Sequence, residues 1–408
     1  MNRRELERLD SELSLFLDGL SQCVKRKDQR RSFVMYVTGL LLDGERKSLQ
    51  PMAMRLVDSP AEHDAVRQRL QQLVSAAPWV EADLYAALSA KIDTELPGVG
   101  AFVVDDTGFP KKGVYSVGVQ RQYSGTLGRI DNCQVATSLH LAGGSGSACI
   151  GMRLFLPEGW ATDAPRCKVA GVPEAVGFKK KWELAIELLD NALAAGVRRH
   201  VVLADAGYGD VQEFRRALTE RGLRYVVGIQ GTHLVWPPGS KPYLPPIPAR
   251  GGPPRTHYRD EKYVPTQIAA LAKTLEYRKV TWREGTRGRQ SSRFAAVRIR
   301  SAEMHHYRAP PGQPEWLICE WPHDESEPTK FYLSTLPQSA STVALVRAVK
   351  LRWRVERDYQ EMKQELGLDH FEGRTWRGFH HHVALCAVAH AFLALQRALF
   401  PPEEVDPA

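Results

Sequence analysis

LVRAVKLRWRVERDYQEMKQELGLDHFEGRTW, residues 345–376, decides how the rest of this 408-residue chain is read. Ser339 or Ser341 can cap a helix start, and Gly367 can stop it. At about 100° per residue, Val355, Tyr359, Met362 and Leu366 make one apolar stripe, the face of a helix that packs on a core. Arg352, Glu356 and Lys363 fall within about 40° of one another on the flank of that stripe. One carboxylate therefore stands between two cations beside a packed face. Spacing alone also allows a solvated ladder of helix ion pairs, which stabilises only weakly.

Two further acid sites lie upstream, at the ends of strand-like runs. Asp105-Asp106 ends AFVVDD, and Asp205 ends HVVLAD. Two carboxylates at strand ends and one on a packed helix can converge and hold two magnesium ions through oxygen ligands. Such a pair clamps the attacking and leaving oxygens of an in-line phosphoryl displacement. Taken singly, an Asp at a strand end is often only a turn former or helix cap. Successive strand residues face opposite sides, so Asp105 and Asp106 cannot both point into one pocket. Lys111 and Lys112, in the loop just after, suit a phosphate contact or a solvated loop equally.

Residues 345–376 resemble the signature of cut-and-paste DDE transposases from bacterial insertion sequences: Tyr, two residues, Arg, three residues, Glu, six residues, Lys. Arg352, Glu356 and Lys363 match in type and spacing, and Val349 stands at the tyrosine position. That departure bears on one phosphate contact and not on the metal site. VVDDTGFPKKG and LADAGYGD are similar to the family's first and second acidic motifs, and the following ELGLDHFEGRTWRGFHHH also looks like the family. The resemblance spans most of residues 30–395. It implies an α/β fold: an RNase H-like mixed sheet flanked by helices, with a β insertion between the second Asp and the Glu. It implies Asp106, Asp205 and Glu356 as catalytic metal ligands for Mg2+, with Mn2+ able to substitute. Asp106 is chosen over Asp105 because the family's acid precedes Thr or Ser. Arg352 and Lys363 would contact DNA phosphate near the cut. The implied partners are double-stranded DNA, as terminal inverted repeats and target, and a second copy of the chain in the DNA complex. A silenced or domesticated DNA-binding relative and a stand-alone metal-dependent nuclease are the competing readings.

Composition fits without deciding. The formal charge is +8 and the pI about 9.1, a moderate basic excess that favours a polyanionic partner. The six cysteines are scattered without CxxC spacing, which suits free thiols in a reducing cytoplasm, and the resemblance implies a bacterial, nucleoid-associated protein there. No apolar run looks long and uncharged enough to span a bilayer, and the charged N-terminus does not read as a signal peptide.

In chain order, residues 1–95 read as a helical domain. Leu6, Leu9, Leu13, Phe16 and Leu20 recur at helical spacing, and Ser59-Pro60-Ala61-Glu62 reads as a capping box. Basic turns at Lys25–Lys27, Arg30, Arg31, Arg46 and Lys47 suit a DNA-binding domain of helix-turn-helix type, or equally a helical dimerisation bundle. Residues 96–230 read as the first part of the catalytic core: an antiparallel meander, then strand–helix–strand. Residues 231–330 read as a β-rich insertion after a Pro/Gly-rich loop. Between Arg255 and Arg300 there are twelve Lys/Arg against four Asp/Glu, and Trp282 there is a DNA-contact candidate. Its alternative is a place in a small core. Residues 331–400 are the C-terminal core helices, with Phe379 to Phe400 packing behind the Glu356 helix. His380, His381 and His382 point about 100° apart on a helix and make poor joint metal ligands; His305-His306 is similar. No GxSxG elbow or Walker loop is present.

Overall fold

A computed structural model describes residues 3–125, 127–246, 257–285, 288–303 and 310–400. The chain divides into two compact units: Met1–Arg199 with Trp353–Ala408, and His200–Arg352. Part of the expected Pro/Gly-rich loop, and His305-His306, lie outside the described residues.

Five helices open the first unit: α1 (Arg3–Ser21), α2 (Lys27–Leu41), α3 (Leu49–Leu56), α4 (Pro60–Ser75) and α5 (Glu81–Glu95). The α1 stripe is buried only at its end, at Phe16 and Leu20, while Leu6 is 51% exposed. Pro60 begins α4 as expected, because its missing N–H costs nothing in a first turn. Ser59 makes no side-chain cap bond, so the expected box is not formed.

Four strands follow: β1 (Val99–Pro110), β2 (Gln120–Ser124), β3 (Arg129–Gly143) and β4 (Ser147–Leu154). They do not form the simple meander read from the sequence. The long β3 pairs with β1 along one edge. Its other edge pairs with β2 at residues 129–133 and with β4 at residues 136–142. The loop 111–119 carries the chain from one side of β3 to the other. Two short helices, α6 (Glu158–Ala161) and α7 (Ala164–Ala170), lead to α8 (Lys181–Ala194), which packs on β3 and β4.

The second unit begins with β5 (Val201–Ala204), the one-turn α9 (Ala206–Gly209), α10 (Gln212–Glu220) and β6 (Tyr225–Ile229). β5 and β6 are parallel, as a strand–helix–strand pattern requires. The insertion is mainly β, as expected: β7 (Leu234–Trp236), β8 (Thr266–Gln267), a short α11 (Ile268–Ala272), β9 (Arg278–Gly285), β10 (Gly288–Ser301), β11 (Pro314–Trp321) and β12 (Lys330–Ser334). β12 pairs antiparallel with β6 and β11, and β10 carries β11, β9 and β7. Helix α12 (Thr342–Leu351) closes the unit, capped by Ser341, whose Oγ accepts the Ala344 N–H at 3.2 Å.

The signature stretch is not one helix. After α12 the single turn residue Arg352 intervenes, and α13 (Trp353–Gln364) starts in the first unit. Gly367, at φ +64°, then turns the chain where an L side chain would be strained. The last helix, α14 (Trp376–Leu399), is the core of the first unit. By length and composition it is apolar enough to cross a membrane, contrary to the sequence reading, but 72% of its most apolar window is buried in the protein. α2, α4, α5, α13 and β4 all pack against it. Each fully buried Leu, Val or Phe there contributes roughly 1.5–3 kcal/mol.

The three adjacent histidines explain why this helix can be buried on every side. His380 Nδ1 sits 2.9 Å from the Trp376 carbonyl of its own helix, and its Nε2 accepts the Leu154 N–H of β4 at 3.3 Å. His381 bridges the Val74 and Trp79 carbonyls at 3.0 Å each and stacks on Trp79. His382 joins the Tyr36 hydroxyl at 2.9 Å to the Gly367 carbonyl at 3.0 Å. Each ring thus satisfies backbone or hydroxyl groups of a different neighbour.

Candidate catalytic carboxylates

β1 positions the first acids. Ala101 to Val104 are fully buried, and the two aspartates follow half-buried in mid-strand rather than at the strand end read from the sequence, since β1 runs on through buried Thr107 and Phe109 to Pro110. Asp105 lies across the ladder from Ser138, and Asp106 from Thr137. Cross-strand partners share a face and consecutive residues alternate, so the two carboxylates project to opposite sides.

The neighbours identify each side. Thr137 Oγ1 donates to Asp106 Oδ1 at 3.0 Å, and Lys181 Nζ, at the start of α8, ion-pairs with Asp106 Oδ2 at 2.9 Å. Asp106 therefore belongs to the α8 face. On the other face, Ser138 Oγ lies 2.5 Å from the Tyr359 hydroxyl of α13. Asp105 shares that face, and its Oδ1 accepts the Asp106 N–H at 2.8 Å. The aspartate passed over on sequence grounds is the one beneath the Glu356 helix.

α13 carries Glu356 on its exposed side, with Val355 and Met362 fully buried on the other. The helix packs on β1, β4 and α14. A buried polar chain holds it there. Asp358 Oδ2 lies 2.7 Å from His140 Nδ1, and Ser147 Oγ donates to Asp358 Oδ1 at 2.6 Å. His140 Nε2 in turn is 2.9 Å from Ser138 Oγ. Burial opposes the charged imidazole, but the Cys149 sulfur and the Asp358 carboxylate outweigh it and raise His140 to about 10. Burial likewise opposes the Asp358 carboxylate, yet the facing His390 and His140 hold it below its ordinary range. Both directions describe one buried ion pair, hydrogen-bonded at both ends.

Asp205 is placed by a different device. It follows β5 and caps α9, accepting the Tyr208 N–H at 3.3 Å. This turn is pressed onto β6: a Cβ on Gly209 would come 1.8 Å from the Gly228 carbonyl oxygen. The buried Arg215 donates to the Gly209 carbonyl and pairs with Glu303. Asp210 accepts the Gln230 N–H at 2.9 Å, fixing the other end of the turn.

The expected DNA contacts fall into two groups. Lys363 Nζ donates to the Gly108 carbonyl at 2.9 Å, and Lys111 Nζ to the Phe371 carbonyl at 3.0 Å. Burial lowers both ammonium groups from their ordinary value. Lys112 is exposed in the loop. Arg352 caps the end of α12. Trp282 is half-buried, edge-on to Phe294, with Lys350 Nζ 4.5 Å from its ring centroid. That is the small-core alternative.

Sequence reasoning passed over His140, Asp358, Lys181 and Arg215. Asp358 carried a legible signal, since it sits three residues after Val355 and four before Met362 on the apolar side. The others carried none, because their partners are distant along the chain. Among the described residues no three His, Cys, Asp or Glu side chains converge as a metal cage. The first unit supplies carboxylate oxygens from β1 and α13, and hard oxygen donors of this kind suit Mg2+.

A family model described as DDE superfamily endonuclease matches residues 19–289, and the chain belongs to that family. The match takes in β1 with its aspartates and the Asp205 turn, and ends before α13. Over 199 residues the chain is 30% identical to the probable transposase for insertion sequence element IS701 of Microchaete diplosiphon. That alignment covers 48% of this chain and 48% of the relative, so it spans about half the length of the curated protein it matches.

Proposed function

We propose that this chain is the transposase of an insertion sequence. It binds the element's terminal inverted repeats, hydrolyses the phosphodiester at each end, and transfers the freed 3′-OH to target DNA. Joining two ends calls for two copies of the chain in the DNA complex. The observation that carries this reading is the packing of the Glu356 helix on β1, on the face that Asp105 shares, in a chain of a DNA-cutting family.

We assign Asp105, Asp205 and Glu356 as the ligands of Mg2+. When bound, the metal supplies charge for the phosphate oxygens and an activated oxygen nucleophile. Asp105 and Glu356 present carboxylate oxygens from elements whose spacing is set by the Tyr359–Ser138 contact and the Asp358–His140 pair. Asp106 braces β1 against Lys181 rather than joining them. Asp205 stands on a turn of the second unit whose close glycine packing holds its backbone. Lys112 offers a cation to the DNA backbone from the loop after β1.

A nicking assay on inverted-repeat DNA tests the reading. Wild type is expected to cut in Mg2+ or Mn2+, and Glu356→Gln to bind the same DNA without cutting. End binding with no cutting in any divalent ion would make the chain a silent DNA-binding relative. Cutting that ignores the repeats would make it a general nuclease.

A further inference from the structure

The loops that follow the two acid-bearing elements of the first unit wall a pocket of about 480 Å3. One wall is the end of β1 at Pro110 and the loop from Lys111 to Ser116; the other is the segment 369–374 between α13 and α14. Arg46 lies on the rim. The size falls within the roughly 300–1,000 Å3 of small-ligand sites. Lys111 and Lys363 act as struts here, since each donates to a carbonyl of the opposite element. Arg46, Lys112 and Arg374 are the exposed cations, set against Asp369 and Glu372. Arg46 and Glu372 form only a loose, exposed pair at 3.6 Å. Tyr115 is 71% exposed, with the Arg374 guanidinium 5.5 Å from its ring centroid. An open aromatic ring between cations is the composition of a nucleic-acid stacking platform.

We propose that this pocket receives an unpaired stretch of one DNA strand, with Lys112 and Arg374 on its phosphates and a base stacked on Tyr115. The inference rests on the reading of the chain as a DNA-cutting enzyme and adds where one strand lies beside the cut. β1 sets the distance: Asp105 to Pro110 is about 17 Å of extended strand, a few nucleotides of backbone. A paired base buries its faces in the duplex stack, so only an unstacked one offers a face to Tyr115.

The test is binding of labelled inverted-repeat DNA by the full chain in Ca2+, with and without three unpaired nucleotides beside the cut. Tyr115→Ala is expected to weaken the partly unpaired DNA about tenfold and the fully paired DNA less than about twofold, while Tyr115→Phe binds like wild type. Lys112→Gln and Arg374→Gln should each lower the log–log salt slope by about one. Equal losses on both DNAs, no loss on either, or failure of Tyr115→Phe to bind normally would overturn the assignment. Wild-type protein that neither binds nor cuts end DNA would remove the parent reading, and the pocket with it.

Discussion

The phenolic oxygen of Tyr359 lies 2.5 Å from Ser138 Oγ, and Ser138 stands directly across the β1–β3 ladder from Asp105. One hydroxyl pair thus ties α13 to the strand layer at the level of Asp105, a turn beyond Glu356. Tyr359→Phe keeps the edge-on ring contact with His140 and removes only this bond. It should cost about 1 kcal/mol of stability. It should also raise the Mg2+ concentration needed for half-maximal cutting several-fold. A stability-matched core change such as Ile92→Val serves as control, and an equal Mg2+ shift in both proteins would refute a positioning role.

The alternation of β1 separates its two aspartates. Asp105→Asn is expected to lower cutting on the order of a thousandfold. Asp106→Asn loses a partly exposed ion pair with Lys181, worth about 1 kcal/mol or less. It should therefore leave cutting within about tenfold of wild type. Single-turnover rates on end DNA decide this, and the opposite ranking would return the ligand to Asp106.

The buried histidines make the first unit acid-sensitive. Burial lowers His380 and His382 from 6.5 to about 4 each and lowers His381 as well. The folded state holds the His380 and His382 rings neutral, while the unfolded chain protonates below its ordinary histidine pKa. Their contribution is thus fully present above about pH 6.5 and is lost as pH falls towards 4. Every tenfold by which folding weakens a ring's hold on its proton corresponds to about 1.4 kcal/mol, so the melting temperature should drop steeply across that window. His382→Gln should flatten part of the slope. A wild-type melting temperature constant from pH 6.5 to 4.5 would contradict this expectation.

Gly209 admits no side chain. Its added Cβ would meet the Gly228 carbonyl oxygen at 1.8 Å, and backbone cannot move aside as a flexible side chain can. Gly209→Ala should cost about 1–3 kcal/mol as overpacking and displace the Asp205 turn. Urea denaturation and amide exchange of residues 205–210 measure the two effects. An unchanged midpoint together with unchanged protection would show that β6 yields more easily than its packing implies.

Much of the fold was legible because local patterns decide it. The cap at Ser341, the stop at Gly367, the start at Pro60 and the buried stripe of Val355, Met362 and Leu366 all follow from residue type and helical period. The parallel β5–β6 pair and the mainly β insertion followed from element order in the same way. The break at Arg352 was hidden, since LRWRV is as helical in propensity as its surroundings. Pairing of β1 with β3 rather than β2 was hidden too, because strand partners are chosen by non-local contacts.

By itself the amino-acid order determined that acids stand at the ends of apolar runs and beside a buried helical stripe. Only the tertiary structure decided which aspartate of the adjacent pair lies under α13. It alone also paired His140 with Asp358 and put the three histidines to work between helices. The physical reason is range. Periodicity fixes how a side chain projects from its own element, whereas the layer it meets depends on strand register and on helices drawn from hundreds of residues away.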